Sequence, residues 1–136
     1  MLSLMPRALL VVLLAVALNG CATLENQSRT TQLGHRAKLF VKAIRWGEFQ
    51  VAADMLRRRD GELVGIDANA FEGIRVTSEN YALAASDPGA IEAGMTAEFE
   101  YTRGQSVSLK KLRYSALWWY ESESKRWFID GILPAF

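Results

Sequence analysis

Apolar and polar positions along this chain change their period twice. Ala8 to Leu18 (ALLVVLLAVAL) is one unbroken apolar run. Between His35 and Arg59 the apolar positions recur at helical spacing. Leu39, Phe40, Ala43 and Ile44 form one stripe, and Phe49, Ala52, Ala53 and Leu56 form another. Trp46-Gly47 lies between them, and a Gly there predicts two helices rather than one. Asp60-Gly61 is a stop signal, with Arg57, Arg58 and Arg59 where the C-terminal end of a helix favours cations. From Ile74 the period drops to two. Ile74–Ala84 predicts a strand that ends at Ser86-Asp87-Pro88-Gly89, a strong turn signal. In Ile91–Thr102 the odd positions are apolar and the even ones mostly polar, the pattern of a half-buried antiparallel strand. Arg103-Gly104-Gln105 turns the chain into a strand over Val107–Glu121. A turn near Ser122–Ser124 leads to a last strand, Arg126–Leu133. Gly61–Gly73 has no clear period and reads as a loop.

The polar faces of two strands suggest their register. Glu98 and Glu100 lie on one strand, Lys111 and Arg113 on the next. Pairing Glu100 with Lys111 and Glu98 with Arg113 makes a solvated ladder, each rung contributing about 0.2–1 kcal/mol. The other end of the sheet is aromatic on both faces. Tyr114, Trp118 and Tyr120 share one face of the long strand, Leu117 and Trp119 the other. In the last strand Phe128 and Ile132 oppose Trp127, Ile129 and Leu133. One apolar face packs on the helices and the second needs a cover. Candidates are the Pro134-Ala135-Phe136 tail, the Gly61–Gly73 loop, a second copy of the chain, or a ligand.

The opening segment carries a different signal. Arg7 precedes the apolar run, whose eleven residues span about 16 Å as a helix, roughly half a bilayer's hydrocarbon thickness. That is a poor spanning segment and a good signal-peptide core. Leu18-Asn19-Gly20-Cys21 follows. These four residues resemble the lipobox of bacterial lipoproteins. The resemblance implies removal of 1–20, a diacylglyceryl thioether on Cys21 and acylation of its new amino group. Asn19 departs from the small or β-branched residue usual there. Ala22, rather than Asp, after the Cys implies delivery to the inner leaflet of the outer membrane, facing the periplasm. Two or three acyl chains hold a protein firmly on a membrane, whereas one holds it marginally. Residues 21–34 then read as the acylated Cys and a flexible polar tether, its last dozen residues reaching at most about 40 Å.

Residues 35–136 read as one α+β domain, two N-terminal helices packed on a curved antiparallel sheet of about four strands. The stretch FVKAIRWGEFQVAADML (Phe40 to Leu56) and the closing hairpin, Trp118-Trp119-Tyr120 and Trp127, resemble the NTF2-like cone fold. That family hosts enzymes, binders and scaffolds, so the likeness does not select a function. It implies that the sheet is a dimer surface or the cone interior a pocket.

Composition narrows the chemistry. The chain has 136 residues, 50% hydrophobic and 23% charged, an ordinary balance for one core. Without Arg7 the basic and acidic residues number 15 each, which gives no drive toward nucleic acid. A single Cys precludes an internal disulfide, and a single His, His35, removes most metal sites and acid–base designs. There is no Gly-x-Ser-x-Gly elbow, phosphate loop or Cys/His metal spacing, so no catalytic, cofactor or metal residues are assigned. Cone-fold enzymes use a carboxylate base with a Tyr donor. Glu48 or Asp54 with a Tyr such as Tyr81 or Tyr101 is the candidate set, and nothing in the sequence places it inside. Lys38, Lys42 and Arg45 share one helix face, which reads as solvated, with anionic lipid as the alternative.

The expectation is a membrane-anchored periplasmic lipoprotein without catalytic role. It would bind itself or a protein partner through Leu117, Trp119, Trp127 and Ile129. The alternative is a carrier of a small apolar molecule in a pocket lined by Phe99, Tyr114 and Trp118. An isomerase- or dehydratase-type enzyme comes last.

Overall fold

The computed structural model describes the backbone of residues 7–84 and 87–136, and the side chains of 24–84 and 87–136. Helix α1 (Arg7–Arg45) is followed by the short α2 (Phe49–Ala53) and a 3-10 turn, Ala68–Phe71. Four strands follow, β1 (Ile74–Leu83), β2 (Glu92–Arg103), β3 (Lys110–Glu121) and β4 (Arg126–Ile129). They form one antiparallel sheet in sequence order, curled into a half-barrel around α1. The fold is therefore α+β, with helices on a curved antiparallel sheet of four strands. A bulge in β1 between Val76 and Ser78 adds a local bend and twist.

The hydrophobic pattern explains the sheet. The odd positions of β2, Ala93, Met95, Ala97, Phe99 and Tyr101, are all buried, and so are Tyr114, Ala116 and Trp118 of β3. Antiparallel pairing puts Glu98 opposite Arg113 and Glu100 opposite Lys111, the register expected from the charges. The Lys111 ammonium lies 3.7 Å from the Glu100 carboxylate on the exposed side. The strand β3 starts later than expected because Val107–Leu109 stays in the loop. Strand β4 ends at Ile129, after which the chain bends so that Leu133 is buried.

Trp46-Gly47 does break the helical run. Gly47 has φ 73°, a left-handed conformation that a side chain resists, and Glu48 N–H returns to Ala43 O at 2.8 Å. Helix α2 is shorter than expected and ends at Ala53. The chain beyond it pairs with the open edge of β4: Ile129 N–H donates to Met55 O at 2.9 Å, and Arg57 N–H to Ile129 O at 3.0 Å. This satisfies edge groups that would otherwise need water or another chain. Met55 and Leu56 are buried by the same turn.

Two expectations about α1 need correction. Its packed stripe is Leu33, Ala37, Phe40, Val41 and Ile44, whereas Leu39 is exposed. The polar stretch 24–34, expected as a flexible tether, is helical and docked. Leu33 is only 3% exposed, and the remaining contacts are polar. Arg29 Nη1 donates to Gly89 O at 3.1 Å, and Gln32 Nε2 to Lys125 O at 3.0 Å. Trp127 Nε1 donates to Arg29 O at 3.0 Å, and the Arg29 guanidinium stands 4.4 Å over the Tyr120 ring. Residues 7–23 belong to the same helix by backbone. The side chains of Met1–Gly20 and of Cys21 lie outside the described residues.

The centre of the core is Phe40. Its ring stacks on Tyr114 at 5.8 Å and meets the edge of Trp118 at 6.1 Å, an arrangement that adds to simple area burial. Replacing Phe40 by Ala should cost about 3–5 kcal/mol in urea unfolding, and Leu39→Ala no more than about 0.5 kcal/mol. Equal effects of the two changes would show that α1 packs on another face.

Candidate functional site

The three residues expected to line a pocket, Phe99, Tyr114 and Trp118, do come together on the concave side of the sheet. All three are buried, and the space they face is filled by the chain itself. Phe40 occupies it from α1, and Phe136 closes the other end, 5.9 Å from Phe99 and 4.9 Å from Tyr101 between ring centroids. Burial pushes the Tyr114 phenol above its ordinary value, and its O–H donates to Ile132 O at 2.8 Å. The Trp118 indole N–H is buried without a partner.

A groove of about 280 Å³ remains nearby, between the 64–71 loop and the C-terminal tail, lined by Leu56, Val64, Ile66, Phe71 and Phe136 among others. The Phe71 ring of its wall stacks on Phe49 at 4.4 Å. The loop and tail thus close the concave side rather than the outer apolar face.

The four residues expected to form one interface are not on one face. Pairing sets Trp118 opposite Ile129 and Trp119 opposite Phe128. Trp127 and Ile129 therefore point inward, 1% and 0% exposed, while Leu117 and Trp119 point outward with Phe128. Of these outer apolar residues, Phe128 is covered by two arginines, whereas Leu117 stays 39% exposed. The Arg57 guanidinium lies 4.3 Å and that of Arg36 5.6 Å from the Phe128 ring centroid. Trp119 Nε1 donates to Arg57 O at 2.7 Å, and Arg57 Nη1 donates to both Glu121 oxygens at 2.9 Å. Hydrogen bonds from Ser124 and then Arg57 hold the Glu121 carboxyl below its usual range. Arg36, through Nε and Nη2, also donates to Trp127 O. Neither the Pro134-Ala135-Phe136 tail nor the Gly61–Gly73 loop does this work.

Three exposed apolar side chains lie toward the opposite end of the sheet, where α1 ends, β1 begins and β2 turns into β3. Trp46 is 67% exposed and Val107 92%, with Leu109 exposed beside them in sequence. The Arg45 guanidinium lies 4.5 Å over the Trp46 ring. These residues were missed because Val107 and Leu109 continue the alternation of β3. The available signal was Trp46, which falls outside both helical stripes.

The remaining candidates are dispersed. Glu48 and Asp54 are both exposed, and Asp54 Oδ1 accepts from Gln50 Nε2 at 2.9 Å. Tyr81 is half-buried, Tyr101 packs on Phe136, and His35 is exposed. In the basic stripe, Lys42 and Arg45 both pair with Glu79, which leaves Lys38 in solvent. Among the described residues there is no cluster of three His, Cys, Asp or Glu, and no helix long and apolar enough to cross a membrane.

No protein-family model, curated protein or solved structure matches this chain.

The Glu121 clasp makes stability depend on acid. A folded-state pKa below the unfolded value gives stability that is present above the ordinary Glu value of 4.5 and lost as pH falls through the folded one. Urea unfolding as a function of pH should therefore show a steeper acid loss for the wild type than for Glu121→Gln. Parallel profiles would contradict the clasp.

Proposed function

We propose that the chain is a lipid-anchored periplasmic protein that acts by binding another protein or a second copy of itself, with no catalytic step. The anchor is the diacylglyceryl thioether on Cys21, supported by the lipobox likeness of Leu18–Cys21 and by the chain's single Cys. The curled sheet closed by α1 supports reading residues 35–136 as an NTF2-like cone.

One observation carries the binding role. The concave side, where such a fold would hold substrate, is filled by Phe40 and Phe136, while a Trp and two aliphatic residues stand exposed at one end. Exposed Trp beside Arg is the composition of interface hot spots, and a partner that covers the ring takes its apolar surface out of water. We assign the contact surface to Trp46, Val107 and Leu109. Leu117 and Trp119 add a smaller outward strip, and Trp127 and Ile129 support that strip from within. Glu48 and Asp54, the carboxylates an enzyme of this fold would need, sit in solvent rather than in a desolvated cleft.

A carrier role is the second reading, favoured by the groove beside Phe71 and Phe136. Its 280 Å³ suits only a small apolar molecule.

Native mass spectrometry of the acylated protein, gently extracted from its membrane, tests both. The expected species is a complex with a second protein or a dimer. Trp46→Asp should weaken that association roughly tenfold or more while changing stability by less than about 0.5 kcal/mol. An added small-molecule mass on a monomer would support the carrier, and a bare lipidated monomer would contradict both.

A further inference from the structure

If Cys21 carries lipid, the structure determines which way the domain faces. Residues 21–34 are not a flexible leash in this molecule. They are part of α1, and from Asn26 onward the helix is fastened to two hairpin turns. Gly89, at φ 85°, lies against Asn26 so closely that a Cβ would sit 3.1 Å from the Asn26 amide, and Arg29 holds the Gly89 carbonyl. Gln32 holds the carbonyl of Lys125 in the β3–β4 turn, and Leu33 and Trp127 complete the joint.

Helical rise converts this into distance. Asn26 stands about 8 Å and Gln32 about 17 Å beyond Cys21 along the axis, whereas Arg45 stands about 36 Å beyond it. The turn at Asp87–Gly89 and the β3–β4 turn are therefore the parts of the sheet nearest the acylated residue. The α1–α2 turn with Trp46 and the β2–β3 loop with Val107 and Leu109 are the farthest. An extended dozen residues would instead let every face of the domain reach the membrane, with about 40 Å of play.

From this we infer that α1 is a rigid strut that seats the domain on the bilayer. The Asp87–Gly89 and Ser122–Lys125 turns face the lipid head groups, and the Trp46–Val107 end is held out from the membrane. This placement rests on the lipid-anchor reading given above. At the near end exposed Asp87 and Glu123 balance exposed Lys125 and Arg126, a mixed charge that suits zwitterionic head groups, with exposed Ile91 beside the near turn. An apolar side chain such as Ile91 settles at the membrane interface. Held at the far end, the exposed Trp and aliphatic residues meet periplasmic proteins and not lipid.

The test uses the full acylated chain in vesicles of phosphatidylethanolamine and phosphatidylglycerol, with a contact quencher on a fraction of the head groups. A fluorophore is placed on Ser122→Cys, on Glu123→Cys as a second near-end site, and on Val107→Cys. A lipidated Cys21 has no free thiol, so only the introduced Cys takes the label. Quenching several-fold stronger at Ser122 and Glu123 than at Val107 is the expected result. Equal quenching at all three positions, with the lipid mass present on the Cys21 peptide, overturns the strut and leaves the anchor standing. A Cys21 peptide of unmodified mass overturns the anchor reading and the bilayer placement together.

Discussion

The whole molecule depends on the seating of α1 against the concave aromatic wall of the sheet. Tyr114, Trp118 and Phe99 project from two neighbouring strands into one hollow, and an open half-barrel cannot keep such a surface from water. Phe40 enters that hollow from the helix, with Leu33, Ala37, Val41 and Ile44 along the same stripe. Small residues at 37 and 43 let the helix lie close, and the aromatic rings meet in stacked and edge-on geometries. The rest of the architecture is fitted around that contact.

The second constraint is the open edge of the sheet. Strand β4 is short and would present unpaired amides and carbonyls along its free side. The chain after α2 removes that exposure by pairing Met55 and Arg57 with Ile129, and the same segment brings Arg57 over Phe128. Guanidinium stacking on an aromatic face keeps the charge partly hydrated while covering the ring. Glu121 then fixes the guanidinium from the strand. The sheet edge and the outer face of Phe128 are thus handled by one short stretch. Among the apolar side chains left exposed, Trp46 and Val107 stand at the far end of the sheet, 67% and 92% exposed.

Much of this was legible from residue order. Alternation located β1 and β2 to within a residue, Gly47 marked the helix break, and the charges at Glu98, Glu100, Lys111 and Arg113 fixed a register that the pairing reproduces. Parity within each strand was also legible, but parity across the β3–β4 turn was not. Joining Trp119 to Trp127 or to Phe128 depends on how many residues the turn consumes, and that choice decides which side chains share a face. The docking of 24–34 was hidden for another reason. Its contacts are hydrogen bonds from Arg29, Gln32 and Trp127 to distant partners, and polar residues that bond tertiary groups look like a solvated linker in one dimension. Covering of Phe128 by Arg36 and Arg57 was equally invisible, since cations are counted as surface by any pattern of hydropathy.

A folded link changes what an anchored domain can do. A leash lets a module search a volume, while a docked helix fixes orientation and presents one end to the compartment. The proposed role therefore stands on α1 being a single packed element from Leu24 to Arg45. Amide hydrogen exchange of the full chain, resolved by peptide, tests this most directly. Protection across 24–34 comparable to that of 35–45 is the predicted result. Exchange across 24–34 at the rate of an unstructured chain, with 35–45 still protected, would contradict it.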